Sequence, residues 1–316
     1  MSKQMKAAVY TEFGAAEKVR ITSVPVPEVK EGEVLVRIKA AGVNPVDVAI
    51  REGYLSSFIP VSFPAIPGWD VAGVIEERGY AARKFEIGDE VYGYARRPVV
   101  QYGTFAEYIV IPESYLALKP KTLSFEEAAG IPLVGLTAYQ SLFDAGELQE
   151  NQSVLILGAS GGIGTMGIQL AKDKGATVVG VASGKNHAYM RELGADFAVD
   201  YQAEDLAGEV RKFIPEGVDL IFDAASGETL KRSVGALKSG GRLVSILSHG
   251  EDLPKDFSFK YVFVEPHSRE LCLLAAKAEE GKLKVPELHT FPLEETVAAM
   301  KEIESHHTRG KIVIVP

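Results

Sequence analysis

An apolar run that ends in a glycine-rich turn and reopens as an amphipathic helix constrains this chain more than any other stretch. Val154-Leu155-Ile156-Leu157 has the composition of a fully buried strand, and Gly158-Ala159-Ser160-Gly161-Gly162-Ile163-Gly164-Thr165-Met166-Gly167 follows it directly. Beyond the turn, Ile163, Gly167, Leu170 and Ala171 fall on one side of a helix. A strand buried on both faces needs covering helices on both sides, which implies a parallel sheet in an α/β fold. The following residues supply the remaining layers. Apolar strands are expected at Thr177-Val178-Val179-Gly180-Val181, Asp219-Leu220-Ile221-Phe222 and Arg242-Leu243-Val244-Ser245-Ile246-Leu247. Amphipathic stretches at 162–174, 185–193, 203–213 and 228–238 alternate with them.

The turn also has a chemical reading. Glycine is needed where backbone approaches a pyrophosphate and where helix packs closely on strand. The helix that follows offers unpaired N–H groups and a partial positive charge to phosphate. Ala159 stands where the first glycine of G-x-G-x-x-G is usual, so the match is a variant one. The strand–turn–helix context assigns Ala159, Ser160, Gly161, Gly162, Ile163 and Gly164 to a dinucleotide. A fold that prefers NAD carries Asp or Glu about 20 residues on, at the end of the second strand, to hold the ribose 2′-OH. Here that strand ends Val181-Ala182-Ser183-Gly184-Lys185, without a carboxylate and with a hydroxyl and a cation suited to a 2′-phosphate. NADPH is the expected cofactor. Ser183 as a helix N-cap and Lys185 as a solvated cation are compatible alternatives, because an N-cap position also attracts anions.

The flanking segments differ in texture. A length of 316 residues exceeds what one core usually fills, so two domains are expected. Residues 1–120 carry short strands, such as Val34–Ile38 and Phe105–Ile111, between Gly and Pro punctuation, as in a small barrel-like β domain. A helix start is expected near 122, where Ser124 and Glu127 have capping-box spacing, and a second helix from about Leu136 to Ala145. Helices at 267–281 and 293–304 precede a last strand, Ile312–Val315.

Composition excludes several classes. A net charge of −9 argues against nucleic acid, which needs clustered Lys and Arg. The single cysteine, Cys272, permits no intrachain disulfide, and in the run Leu271-Cys272-Leu273-Leu274 it is expected to be a buried packing residue. No window approaches the roughly 18 consecutive apolar residues of a membrane span, and no targeting signature is seen, so a cytoplasmic location is expected.

Several collinear segments carry a family resemblance. They are Ala41-Gly42-Val43-Asn44-Pro45-Val46-Asp47, Ile66–Val74 (Ile-Pro-Gly-Trp-Asp-Val-Ala-Gly-Val), Gly88–Gly93, Gly103–Tyr108, Gly135-Leu136-Thr137-Ala138-Tyr139, the glycine turn, Leu193–Asp196 and Arg309-Gly310-Lys311-Ile312-Val313. Over nearly its whole length the chain resembles the zinc-independent quinone oxidoreductase branch of the medium-chain dehydrogenase/reductase superfamily, the group that includes zeta-crystallin and alkenal or enone reductases. The resemblance implies a GroES-like β-barrel-type catalytic domain from residues 1–121 and 268–316. It also implies a Rossmann doubly wound parallel sheet from 122–267 that binds NADP, with the nicotinamide meeting substrate between them.

It further implies roles for single residues. Asn44 is expected near nicotinamide and substrate, with a structural amide before Pro45 as the rival, and Tyr54 is a candidate hydroxyl donor to the substrate oxygen. Thr137 is expected on the nicotinamide side, Tyr201 beside the adenosine phosphate, Ser245 and Leu247 at a strand end facing nicotinamide, and Lys311 near the cofactor. Zinc members carry Cys where Asn44 stands and His-Glu where Trp69-Asp70 stand, so no metal is expected. His249, His267, His289, His306 and His307 lack compact ligand spacing. Without zinc to polarise a carbonyl, the expected substrate is a small electrophile that already accepts hydride well, a quinone or an α,β-unsaturated carbonyl compound. The alternatives are an NADPH-binding sensor or structural protein with little catalysis, and an enoyl-thioester reductase. A homodimer through the apolar edge Tyr261-Val262-Phe263-Val264 is also expected.

Overall fold

The computed structural model describes residues 3–254, 257–305 and 310–316. His306, His307 and Arg309, singled out above, lie outside them. The chain forms two compact units: Met1–Leu133 with Glu265–Gly281 and Val285–Pro316, and Val134–Val264 with Lys282–Lys284.

The second unit is built on a six-stranded parallel sheet. In spatial order its strands are Phe197–Asp200, Thr177–Ala182, Ser153–Leu157, Val218–Asp223, Leu237–Ser245 and Ser258–Tyr261. That is the doubly wound order, with the strand order reversing between Ser153–Leu157 and Val218–Asp223. Ser153–Leu157 is buried at every position, as its unbroken apolar run requires. Helices Gly162–Asp173, His187–Glu192, Leu206–Phe213 and Gly227–Ser233 form the crossovers. Three details depart from the sequence reading. Leu237–Ser245 begins well before Arg242, because Gly240 at φ +70° carries the backbone through an irregularity rather than ending a helix. Phe197–Asp200 is a strand where none was expected. The outer strand covers Ser258–Tyr261, three residues earlier than the expected Tyr261–Val264.

The first unit is antiparallel at its centre. The eleven-residue strand Glu33–Val43 pairs with Asp70–Arg78 and Tyr108–Pro112 along its first part, and with Lys311–Val315 near its end. The last strand therefore returns to the sheet laid down by the N-terminal segment, with Ile312 opposite Val43. Helix Phe125–Ala129 packs on Glu33–Val43 and groups with this unit. Its cap is the expected box: Ser124 Oγ accepts the Glu127 N–H at 3.1 Å, and Glu127 Oε2 accepts the Ser124 N–H at 2.8 Å. The approach depends on glycine, since a Cβ at Gly42 would stand 2.5 Å from the Ala129 carbonyl oxygen. Cys272 lies exposed on helix Ser268–Glu279, contrary to the packing role expected of it, because that helix turns Leu271 and Leu274 inward instead. No helix among the described residues is long and apolar enough to cross a membrane.

Candidate active site

In the parallel unit, the carboxyl ends of the strands gather the glycine turn, the 183–186 turn, Tyr201 and the Asp223–Ser245 pair along one edge of the sheet. A doubly wound sheet binds its ligand at that edge. Gly158 turns the chain at φ +73°, a conformation disfavoured for side chains with a Cβ. A Cβ at Gly164 would meet the Gly158 carbonyl oxygen at 2.4 Å and the Ala159 Cα at 2.5 Å. Glycine at 164 thus lets helix Gly162–Asp173 seat its first turn against the strand end. Gly161 is the N-cap, with extended backbone, so the N–H groups of Gly162, Ile163 and Gly164 open outward without intrahelical acceptors. Ala159 is fully buried, its N–H donating to the Val181 carbonyl at 3.0 Å, so its part in the turn is packing. The twelve-residue helix and the glycine cradle suit a pyrophosphate.

One turn further along, Asn186 Nδ2 donates to Ser160 Oγ at 3.0 Å and to Ser183 Oγ at 3.2 Å, tying the glycine turn to the end of the second strand. Ser183 stands at the N-cap of the short turn Gly184–Asn186, but its hydroxyl does not close that cap. Lys185 is exposed and makes no hydrogen bond or ion pair among the described residues. Tyr201 is 40% exposed and follows Asp200, whose carboxylate accepts the N–H of Gly184 and that of Gln202, each at 2.9 Å. A carboxylate does stand near the second strand, donated by the neighbouring one. Asp200 lies sixteen residues beyond Gly184 and only the parallel pairing brings them together, so spacing along the chain did not reveal it.

Asp223 is wholly buried. One of its oxygens accepts the N–H groups of Ala225 and Ser226 at 3.0 and 2.8 Å, and the other accepts the Ser245 hydroxyl at 2.6 Å. Ser226 is held at φ +60° by this arrangement, a strained conformation for a residue other than glycine. Ser245 Oγ also receives the N–H groups of Leu247 and Ser248. The Ser245 hydroxyl is therefore buried and engaged in shaping the 245–248 turn. Leu247, by contrast, presents a side chain that is 55% exposed. Thr137 is buried in helix Pro132–Tyr139, which runs on into a π-helical turn at Gln140–Ala145.

In the first unit, a buried polar cluster joins the strands. Lys311 Nζ donates to the Val43 carbonyl at 3.1 Å, to Asn44 Oδ1, and to Asp70 Oδ2 at 3.4 Å. Asn44 Nδ2 donates to the same Asp70 oxygen at 2.8 Å, and Asp70 Oδ1 accepts the Leu133 N–H at 2.7 Å. Burial pushes the Lys311 ammonium down and the Asp70 carboxyl up from their ordinary ranges, each shift resisted by the partner's charge. Lys311 directs its three donors to acceptors inside the fold. The Asn44 carboxamide oxygen accepts from Lys311, so this residue also holds the strand ends. Tyr54 is 75% exposed, and its hydroxyl has no partner among the described residues.

These residues do not suit zinc. Trp69 is buried with its ring edge-on to Tyr94, at 5.8 Å between centroids. Of the two buried carboxylates nearby, Asp70 already accepts from an ammonium, an amide and a backbone N–H, and Asp47 accepts the Asn44 N–H. The cluster holds an internal cation, Lys311, which would repel a second.

Asp47 adds a pH dependence. It is buried, and loss of hydration raises its carboxyl from 3.8 to about 7, although the Asn44 N–H at 2.8 Å favours the charged form. A folded-state value above the unfolded one means that the fold binds the proton more tightly. The stability this confers is complete below about pH 4 and is lost as pH rises through about 7. Urea unfolding at about pH 5 and about pH 8 should show a wild-type decline that Asp47→Asn flattens by on the order of a few kcal/mol. An unchanged decline in the variant would assign it to other groups.

Two family models match the chain: the alcohol dehydrogenase GroES-like domain over residues 30–121, and zinc-binding dehydrogenase over residues 193–314. The chain is 36% identical over 323 residues to the chloroplastic NADPH-dependent alkenal/one oxidoreductase of Arabidopsis thaliana, covering 99% of this chain and 80% of that protein. It is also 36% identical to the 2-methylene-furan-3-one reductase of Solanum lycopersicum, covering 99% and 79%. The solved quinone oxidoreductase from Coxiella burnetii superposes with a TM-score of 0.87 at 31% identity, over 99% of this chain and 100% of that one. With relatives of this likeness matched along almost its entire length, the chain belongs to the medium-chain dehydrogenase/reductase superfamily of oxidoreductases.

Proposed function

We propose that this protein is an NADPH-dependent reductase of quinones or α,β-unsaturated carbonyl compounds that works without zinc. The observation that carries the reading is Lys185, an exposed ammonium without a partner among the described residues, standing beside Ser183 at the carboxyl end of the second strand. A 2′-phosphate is the feature that distinguishes NADPH from NADH, and a free cation with a neighbouring hydroxyl is the chemistry that holds one. The outward N–H groups of Gly162, Ile163 and Gly164 suit the pyrophosphate.

NADPH, once bound, supplies the hydride. The chain's own work is to fix the reactants and to meet the charge that arrives on oxygen. With Lys311 in place of a metal ion, the carbonyl has no Lewis acid to polarise it, which favours acceptors that delocalise the incoming charge as enolate or hydroquinone anion. The named relatives act on such compounds: alkenals and enones, a methylene-furanone and quinones. Tyr54, with an exposed and unpartnered hydroxyl, is the candidate proton donor to that oxygen.

The test is NADPH consumption with a panel of quinones, alkenals and enones, run beside NADH. The reading expects turnover with at least one acceptor and a clear preference for NADPH. Tight NADPH binding without turnover of any acceptor would instead support a cofactor-binding protein with little catalysis.

A further inference from the structure

The pocket expected to hold the 2′-phosphate is formed by two turns from different strands. Ser183 and Lys185 flank Gly184 on the turn after Thr177–Ala182. Tyr201 lies between Asp200 and Gln202 on the turn after Phe197–Asp200. A single carboxylate joins them. Asp200 Oδ2 accepts the Gly184 N–H and Oδ1 accepts the Gln202 N–H, both at 2.9 Å. The three side chains suited to the phosphate thus each lie one residue from an atom of this bridge. Gly184 admits the carboxylate because it lacks a Cβ, which would stand 2.8 Å from Asp200 Oδ2. Arg232 holds the second turn from outside, donating to the carbonyls of Tyr201 at 3.1 Å and Glu204 at 3.2 Å.

We infer that Asp200 is a positioning residue for cofactor choice: its carboxylate locks the Ser183–Lys185 turn to the Tyr201 turn, and so builds the 2′-phosphate pocket. The inference rests on the NADPH reading above. It also accounts for an acidic residue beside a site for a dianion. Both oxygens of Asp200 face backbone N–H groups, so its charge is directed into the two turns rather than toward the ligand. Arg232 supports the same geometry.

Asp200→Asn keeps the size of the side chain but replaces one accepting oxygen with a donor, so one of the two bonds must break. Gly184→Ala attacks the same bridge from the opposite side, at a backbone conformation that alanine tolerates. Dissociation constants for NADPH and NADH, measured by cofactor fluorescence on the full-length protein, give their ratio for each variant. Both substitutions should shift that ratio toward NADH by roughly five- to tenfold, the effect of loosening a charge-assisted contact. Two results would overturn the inference: a ratio that does not move, even if both cofactors weaken in step, or a shift toward NADPH (the sign of simple repulsion by Asp200). The parent reading is checked separately with the wild type and Lys185→Ala. If the wild type shows no NADPH preference, that reading falls and this inference with it. If Lys185→Ala abolishes the preference and Asp200→Asn does not, only the role of Asp200 is lost.

Discussion

Lys185→Ala is expected to weaken NADPH binding by about ten- to a hundredfold and NADH binding far less. A charge-assisted contact to phosphate is worth about 1.5–3 kcal/mol, and each 1.4 kcal/mol is about a factor of ten. Lys185 is exposed and has no other partner among the described residues, so its removal should cost the fold little and act on the ligand almost alone. Lys185→Arg should restore much of the affinity, because guanidinium also pairs with phosphate. Calorimetric titration with each cofactor measures both effects. Equal losses for NADPH and NADH would place Lys185 away from the 2′-phosphate.

The second large effect concerns stability. Lys311→Met leaves the buried Asp70 carboxylate without its cation and the Asn44 oxygen without its donor. Breaking a buried pair from one side costs about 3–5 kcal/mol, since the remaining charge stays unhydrated. Adding Asp70→Asn removes that charge while keeping the side chain's shape, so the double variant should recover part of the loss. Urea unfolding of the wild type, the single variant and the double variant forms the cycle. A single variant within about 1 kcal/mol of the wild type would contradict the role given to this pair.

The elements of the parallel unit are legible to different degrees, for physical reasons. Ser153–Leu157 and the helix after it show in the sequence because burial on both faces demands an unbroken apolar run and the helix repeats every 3.6 residues. Leu237–Ser245 shows in the sequence only from Arg242 because Gly240 and Gly241 interrupt its apolar character. Phe197–Asp200, four residues long, has too little period to register. The site divides in the same way. Glycines that need a special backbone, such as Gly158, announce themselves. Groups whose role depends on distant partners do not. Asp223 has no visible partner in the sequence until strand pairing brings Ser245 beside it, and Lys311 meets Asn44 across 267 residues of chain. The partners of Lys311 and of Asp200 are hidden for one cause: a charged side chain's partner is set by strand pairing, which local sequence does not state.

The central claim is that hydride passes from NADPH to a conjugated acceptor with no metal taking part. The most direct measurement is the rate of NADPH consumption with an enone or quinone substrate, before and after exhaustive chelation and again after zinc is added back. The account predicts the same rate in all three conditions. Activity that disappears on chelation and returns with zinc would contradict it.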